Sequence, residues 1–75
     1  MKITGTTSYI KVEIDGKVVK IEGEMIVGGF VAFKNTIRNW EPPYESEVID
    51  DKVKKEIVYK VINETQNSHL VIAFE

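Results

Sequence analysis

The chain has 75 residues, of which 43% are hydrophobic and 29% are charged. This composition excludes a disordered chain, and the length allows one domain, residues 1–75, that buries roughly 60% of its unfolded surface. The longest apolar run, Leu70 to Phe74, is far shorter than the roughly 20 residues of a membrane helix, so we expect no membrane partner. The absence of cysteine excludes disulfides and thiolate zinc sites and fits a reducing cytosol.

The net charge of −2 conceals a concentrated acidic segment. Residues 41–51 contain five acids and no base, so this segment carries −5 and the rest of the chain carries +3. A general nucleic-acid binder would carry a basic stripe instead. We therefore expect no nucleic acid among the partners.

The first predicted elements are two strands joined by a tight turn. From Ser8 to Asp15 hydrophobic and polar residues alternate, which is typical of a half-buried strand. The dipeptide Asp15-Gly16 tolerates the positive φ angles of a two-residue hairpin turn. Lys17 to Glu24 would then return as the partner strand.

The pair Gly28-Gly29 interrupts the next apolar stretch, and the sequence leaves its role open. The glycines form either the turn between two short strands or a bulge that bends one strand. A phosphate-binding loop would need a Lys-Ser/Thr pair and a helix start after the glycines, and neither follows. Phe30 and Val31 would face opposite sides of this strand, so we expect both faces of the strand to be at least partly buried.

A helix is predicted from about Asp50 to Gln66. Its apolar stripe recurs at helical spacing and consists of Val53, Ile57, Val58, Val61 and Ile62. Acids open the helix and lysines follow, which is the order that the helix dipole prefers. Asn67 is a candidate C-cap, and the alternation from Leu70 to Phe74 predicts a closing strand.

This order of elements predicts an α+β fold. One amphipathic helix would pack against a small, mainly antiparallel sheet of about four to five strands, in the order strands, helix, strand. Ile14 and Val19 should then lie on the same buried face as Ile57 and Val61.

The chain offers little for catalysis or metal binding. The single histidine, His69, lies near the predicted C-terminus of the helix, where its charge is favourable, and the spacing does not support a triad with Ser8. The acids lack the glycine turn and ligand spacing of a calcium loop. A pair of catalytic carboxylates would need a cleft, for which the chain has little material. We expect neither an enzyme nor a cofactor.

The stretch Trp40-Glu41-Pro42-Pro43-Tyr44 carries the only tryptophan and both prolines. The prolines fix φ and remove two amide donors, which predicts a stiff, extended connection. Such a strut would present Trp40 and Tyr44, residue types that are enriched at interaction hot spots. Alternatively, Trp40 fills an open edge of the core while the prolines only cross from sheet to helix, and for Trp40 the pattern favours this interpretation.

The acids around this stretch also have two interpretations. In the first interpretation, Asp50 and Asp51 only stabilise the helix N-terminus, and the glutamates are only solvated. Concentrated within so few residues, however, the acids would also steer a basic partner. The predicted partner-binding residues are Trp40, Glu41, Tyr44, Glu45, Glu47, Asp50 and Asp51.

Three short motifs follow one another along the chain: Ile14-Asp15-Gly16-Lys17, Ile21-Glu22-Gly23-Glu24 and Trp40-Glu41-Pro42-Pro43-Tyr44. With the helix and the short last strand they make the chain resemble the immunity protein 74 family of bacterial polymorphic-toxin systems, of the contact-dependent inhibition type. The resemblance implies a cytoplasmic protein, monomeric when free, that binds a cognate toxin domain as a heterodimer and blocks it.

Such toxins are often nucleases with basic clefts, so the resemblance also implies that an acidic face would act as a substrate mimic. It assigns no binding residue. The alternative is a module that binds another protein or a small ligand, and a toxic neighbouring gene would distinguish the two.

Overall fold

The structure is a computed structural model that describes all 75 residues. Its elements are β1 (Lys2–Gly5), β2 (Tyr9–Ile14), β3 (Lys17–Ile26), β4 (Gly29–Ala32), a 3-10 helix (Lys34–Thr36), α1 (Asp51–Thr65) and β5 (Val71–Phe74). The five strands form one sheet in chain order, and only the β4–β5 pair is parallel. This confirms the predicted α+β fold, although β1 was not predicted as an element of its own.

Both glycine-containing turns are two-residue hairpin turns. Asp15 and Gly16 have φ angles of 51° and 80°, the left-handed values that such a turn requires, so the predicted β2–β3 hairpin is confirmed. Ile26 pairs directly with Gly29, and Gly28 has a φ of 77°. Gly28 is therefore part of a turn between β3 and β4, and the bulge interpretation is wrong.

The long strand β3 changes partners along its length. Residues 17–22 pair with β2, and residues 23–26 pair with β4. At the change of partner, a Cβ atom on Gly23 would overlap the carbonyl oxygen of Val31, so this close approach of backbones requires glycine.

One core cluster of 12 buried apolar residues joins the sheet to the helix. Val19, Ile57 and Val61 belong to it and Ile14 packs against it, as predicted. Ile62 was predicted in the buried stripe of the helix, but its side chain is 42% exposed, so this prediction was wrong. None of the helices has the length and apolar character needed to cross a membrane.

Hydroxyl groups tie the end of α1 to the edge strand β5. The Oγ1 of Thr65 donates to the Val61 carbonyl at 2.9 Å and accepts the Ile72 N–H at 3.2 Å, and Ser68 Oγ donates to the Leu70 carbonyl at 2.7 Å. The C-cap is Gln66, not Asn67 as predicted. One backbone donor at the free edge of β5, the N–H of Ile72, is thereby satisfied.

Candidate functional site: the acidic loop

The predicted partner-binding residues lie on one loop, residues 39–50, which we call the acidic loop, and on the first residue of α1. A bridge between Asn39 and Val48 closes the loop. A second bridge joins Trp40 to Val19, and the Glu41 N–H donates to the Val18 carbonyl at 2.7 Å. The loop is therefore attached to the first half of β3.

The predicted extended path through the prolines is wrong. The Tyr44 N–H donates to the Glu41 carbonyl at 3.0 Å, and the Glu47 N–H donates to the Tyr44 carbonyl at 3.0 Å. These bonds close two consecutive turns, and the Pro42–Pro43 peptide bond is cis. Proline is as compatible with turns as with extended chain, and the bridge between the loop ends requires the chain to reverse.

Trp40 anchors the loop in the core. Its side chain is 7% exposed and belongs to the core cluster together with Ile49, which lies near the other end of the loop. The ammonium group of Lys17 lies 5.7 Å from the centroid of the Trp40 ring and covers it from the solvent side. Trp40 thus occupies the core position that the sequence favoured, and its buried side chain anchors the loop to the core.

Two of the five acids pair with lysines of the sheet. Glu47 Oε1 lies 2.6 Å from Lys17 Nζ, and Glu41 Oε1 lies 3.5 Å from Lys11 Nζ. Both pairs are partly exposed, so each contributes no more than about 1 kcal/mol to stability. Their larger effect is on the electrostatic field, because these lysines offset two of the five negative charges that residues 41–51 carry.

The aspartates at the helix N-terminus have a structural role. Asp50 is the N-cap, and its Oδ1 accepts the Val53 N–H at 2.9 Å. Asp51 lies in the first turn of α1, where a negative charge favours the helix dipole. Asp50 therefore caps α1, and one of its carboxylate oxygens already accepts a hydrogen bond within the protein.

The outer side of the loop remains available for contacts. Tyr44 is 38% exposed and Val48 is 79% exposed. The carboxylates of Glu45 and Asp51 form no salt bridge, in contrast to those of Glu41 and Glu47. Among the exposed residues of the predicted set, the side chains of Tyr44, Glu45 and Asp51 form neither a salt bridge nor a hydrogen bond within the protein. Val48 is an exposed apolar residue that the sequence did not suggest.

Sequence reasoning also missed the lysines that hold the loop. Lys17 pairs with Ile14 and shares the inward face of β3 with Val19. A lysine at an inward position of an otherwise apolar pattern was the available signal, since such a side chain needs a partner or an exit to solvent. Lys11 lies on the outer face of β2 and gave no such signal.

Other candidate chemistry in the sequence is not assembled into a site. His69 is exposed in the bend between α1 and β5, and Ser8 is exposed before β2. The backbone N–H of Ser8 donates to Thr6 Oγ1 at 3.1 Å. No group of three or more His, Cys, Asp or Glu side chains is arranged to hold a metal ion.

Comparison with known proteins gives one match. The model of a protein family described as Immunity protein 74 matches residues 2–75, which is essentially the whole chain. Searches of curated proteins and of solved structures found no match. The match includes the hairpin turn, the acidic loop, the helix and the closing strand, so the earlier resemblance is confirmed. The chain belongs to the immunity protein 74 family.

Proposed function

We propose that this chain is an immunity protein that binds the toxin domain of a cognate polymorphic-toxin system and occludes its active site. Membership of the immunity protein 74 family supports the class of partner. The observation that carries the choice of surface is the exposure of Tyr44 and Val48 on the acidic loop, where the Glu45 carboxylate forms no salt bridge. The protein acts in the cytoplasm of the toxin-producing cell as an inhibitor with no catalytic step of its own.

The geometry of the loop suits a rigid contact surface. Trp40 and Ile49 hold its ends in the core, and two hydrogen-bonded turns fix the chain between them. Little conformational entropy is then lost when a partner binds. Tyr44 supplies an aromatic anchor of the kind found at hot spots.

Charge supports a basic partner. Glu45 forms no salt bridge and is free to meet a cation, and a nuclease domain with a basic substrate cleft is the partner that it fits best. The pairing of Glu41 and Glu47 with sheet lysines confines the effective negative charge to a smaller area. Complementary charge would act mainly on the rate of encounter, and Tyr44 mainly on the lifetime of the complex.

The test begins with the product of the gene adjacent to the one that encodes this chain. The two proteins are expressed together, and growth of the host, co-purification and calorimetric affinity are measured. We expect survival only when both are present and a 1:1 complex. Growth without this chain, together with no complex, would show that the function is a different one, such as binding of an unrelated protein or small ligand.

A matched pair of variants tests the surface. Tyr44→Ala with Glu45→Lys removes the anchor and reverses one free charge, while leaving Glu41 and Glu47 in their ion pairs. We expect affinity to fall by roughly tenfold or more, a loss above about 1.4 kcal/mol. Glu64→Lys makes the same change of charge on α1 and should alter affinity by less than about twofold. Equal affinities for both variants would place the interface elsewhere, most readily on the open face or edge of the sheet, and leave the function intact.

A further inference from the structure

A second surface of opposite charge lies on the exposed side of the helix. Lys34, from the 3-10 helix, and Lys54 and Lys55 of α1 surround a groove of about 470 Å³. Its apolar lining is provided by Val58, Tyr59 and Ile62. We call this surface the lysine groove.

The lysine groove follows one face of the helix. The spacing from Lys54 and Lys55 to Val58, Tyr59 and Ile62 places these residues on a single stripe. This stripe is distinct from the buried one, which contains Ile57 and Val61. Val58 is partly buried against the core cluster, but the rest of this apolar stripe is exposed: Tyr59 is 65% exposed and Ile62 is 42% exposed.

The cations around the groove are free. The two salt bridges of the protein use Lys11 and Lys17, so none of the three groove lysines is paired with a carboxylate. Unpaired cations beside an exposed apolar strip complement a partner that combines negative charge with apolar surface. Asp51 lines one end of the groove, and its carboxylate would repel a negative group of the partner at that end.

We propose that the lysine groove binds an acidic segment of a partner protein that carries at least one aromatic or aliphatic side chain. The carboxylates contact the three lysines, and the apolar side chain lies against Val58, Tyr59 and Ile62. A polypeptide fits better than a nucleic acid or an anionic membrane, because a continuous run of negative charge would also meet Asp51 and the neighbouring acidic loop. The groove would bind an acidic partner, whereas the acidic loop would bind a basic one. A negative result for one surface therefore does not count against the proposal for the other.

The experiment uses the isotope-labelled full chain and a short synthetic peptide in which Glu alternates with Leu around one Trp. Amide shifts are followed by NMR during titration. We expect shifts at the groove residues, and an affinity that falls by roughly tenfold or more for Lys54→Glu with Lys55→Glu. The control, Lys52→Glu with Lys60→Glu, makes the same change of charge on the same helix outside the groove and should weaken binding by no more than about threefold.

Further variants and ligands separate the apolar contribution to binding from the electrostatic one. Tyr59→Ala with Ile62→Ser alters only exposed side chains and should weaken binding of the Glu-Leu-Trp peptide, but not the weaker binding of poly-glutamate. Equal effects of the two lysine pairs, or equal affinities for the peptide and poly-glutamate, would overturn the proposal. So would tighter binding of single-stranded oligothymidylate or phosphatidylglycerol vesicles at the groove, or ultracentrifugation showing that the acidic loop of a second copy occupies it.

Discussion

The Asp15-Gly16 turn and the acidic loop both reverse the chain beside β3, but different interactions hold them. The turn has only two residues, and their left-handed φ angles are sufficient to form it. The loop depends on Trp40 in the core, on its bridge to Val19 and on the Lys17–Glu47 contact, which spans 30 residues. The turn is thus specified by its own residues, whereas the loop is specified by contacts with strands far away in the sequence.

The largest effect should come from removing the anchor of the loop. Trp40→Ala deletes a buried indole from the core cluster and should lower the free energy of unfolding by about 3–5 kcal/mol. In so small a domain this loss approaches the whole stability. Urea denaturation followed by circular dichroism measures it, with Trp40→Phe as the conservative control that should cost less. A loss below about 1 kcal/mol for Trp40→Ala would mean that the loop is not anchored through this side chain.

The difference between the two regions explains which parts of the fold the sequence predicts. Alternation, the Asp15-Gly16 turn and helical spacing act between near neighbours, and the hairpin, α1 and β5 were predicted from them. The role of Gly28 remained open because a turn and a bulge both favour glycine at such a position. Strand β1 has one apolar residue, Ile3, between polar ones, so its pairing with Val12 leaves little trace in local pattern.

The candidate site was less predictable for the same physical reason. Nothing near Glu41 or Glu47 in the sequence indicates that Lys11 and Lys17 approach them. The prolines allow both an extended path and a turn, and the turn lets Asn39 and Val48 form the bridge that closes the loop. Ile62 fits the helical period of the core, but it lies at the margin of the buried stripe, next to Val61, and its side chain is 42% exposed.

A smaller effect is expected in the hairpin turn. Gly16→Ala forces a side chain into the left-handed region at φ 80° and should cost about 1–2 kcal/mol. Asp15→Asn is the control and should be nearly neutral, because asparagine tolerates a positive φ. Thermal unfolding gives both values. The NMR signals of the acidic loop should stay in place in the folded Gly16→Ala protein, and a general shift of those signals would show that the two regions are coupled.

A change at Lys17 should weaken the loop without unfolding the hairpin. Lys17→Met keeps the aliphatic cover over Trp40 and removes the ion pair with Glu47, so the expected loss of stability is below about 1 kcal/mol. Hydrogen exchange at the Glu47 amide should become several-fold faster, since local opening depends on the few contacts that hold the loop.

The matched control for Lys17 is Lys20→Met. The Lys20 ammonium lies 4.5 Å from the ring centroid of Tyr9 on the outer face of the sheet and forms no salt bridge with a carboxylate of the acidic loop. Its removal should leave the exchange rate of Glu47 unchanged. If both substitutions accelerate exchange equally, the loop responds to total charge, and the contact between Lys17 and Glu47 is not what holds it.

The smallest effect on folding is expected at Glu45, where the effect on binding is the reason for the test. Its carboxylate forms no salt bridge, and the loop uses only its backbone carbonyl, which accepts from Asn39 Nδ2 at 3.3 Å. Glu45→Lys preserves that bond and should change the free energy of unfolding by less than about 0.5 kcal/mol. With a basic toxin domain, the same substitution should slow association more than it accelerates dissociation, and added salt should reduce the difference between variant and parent. Stopped-flow kinetics at two salt concentrations measures both rates. A loss of stability above about 1 kcal/mol would reveal a folding role for the Glu45 side chain, whereas an unchanged association rate would remove this carboxylate from the encounter surface and leave Tyr44 as the contact to examine.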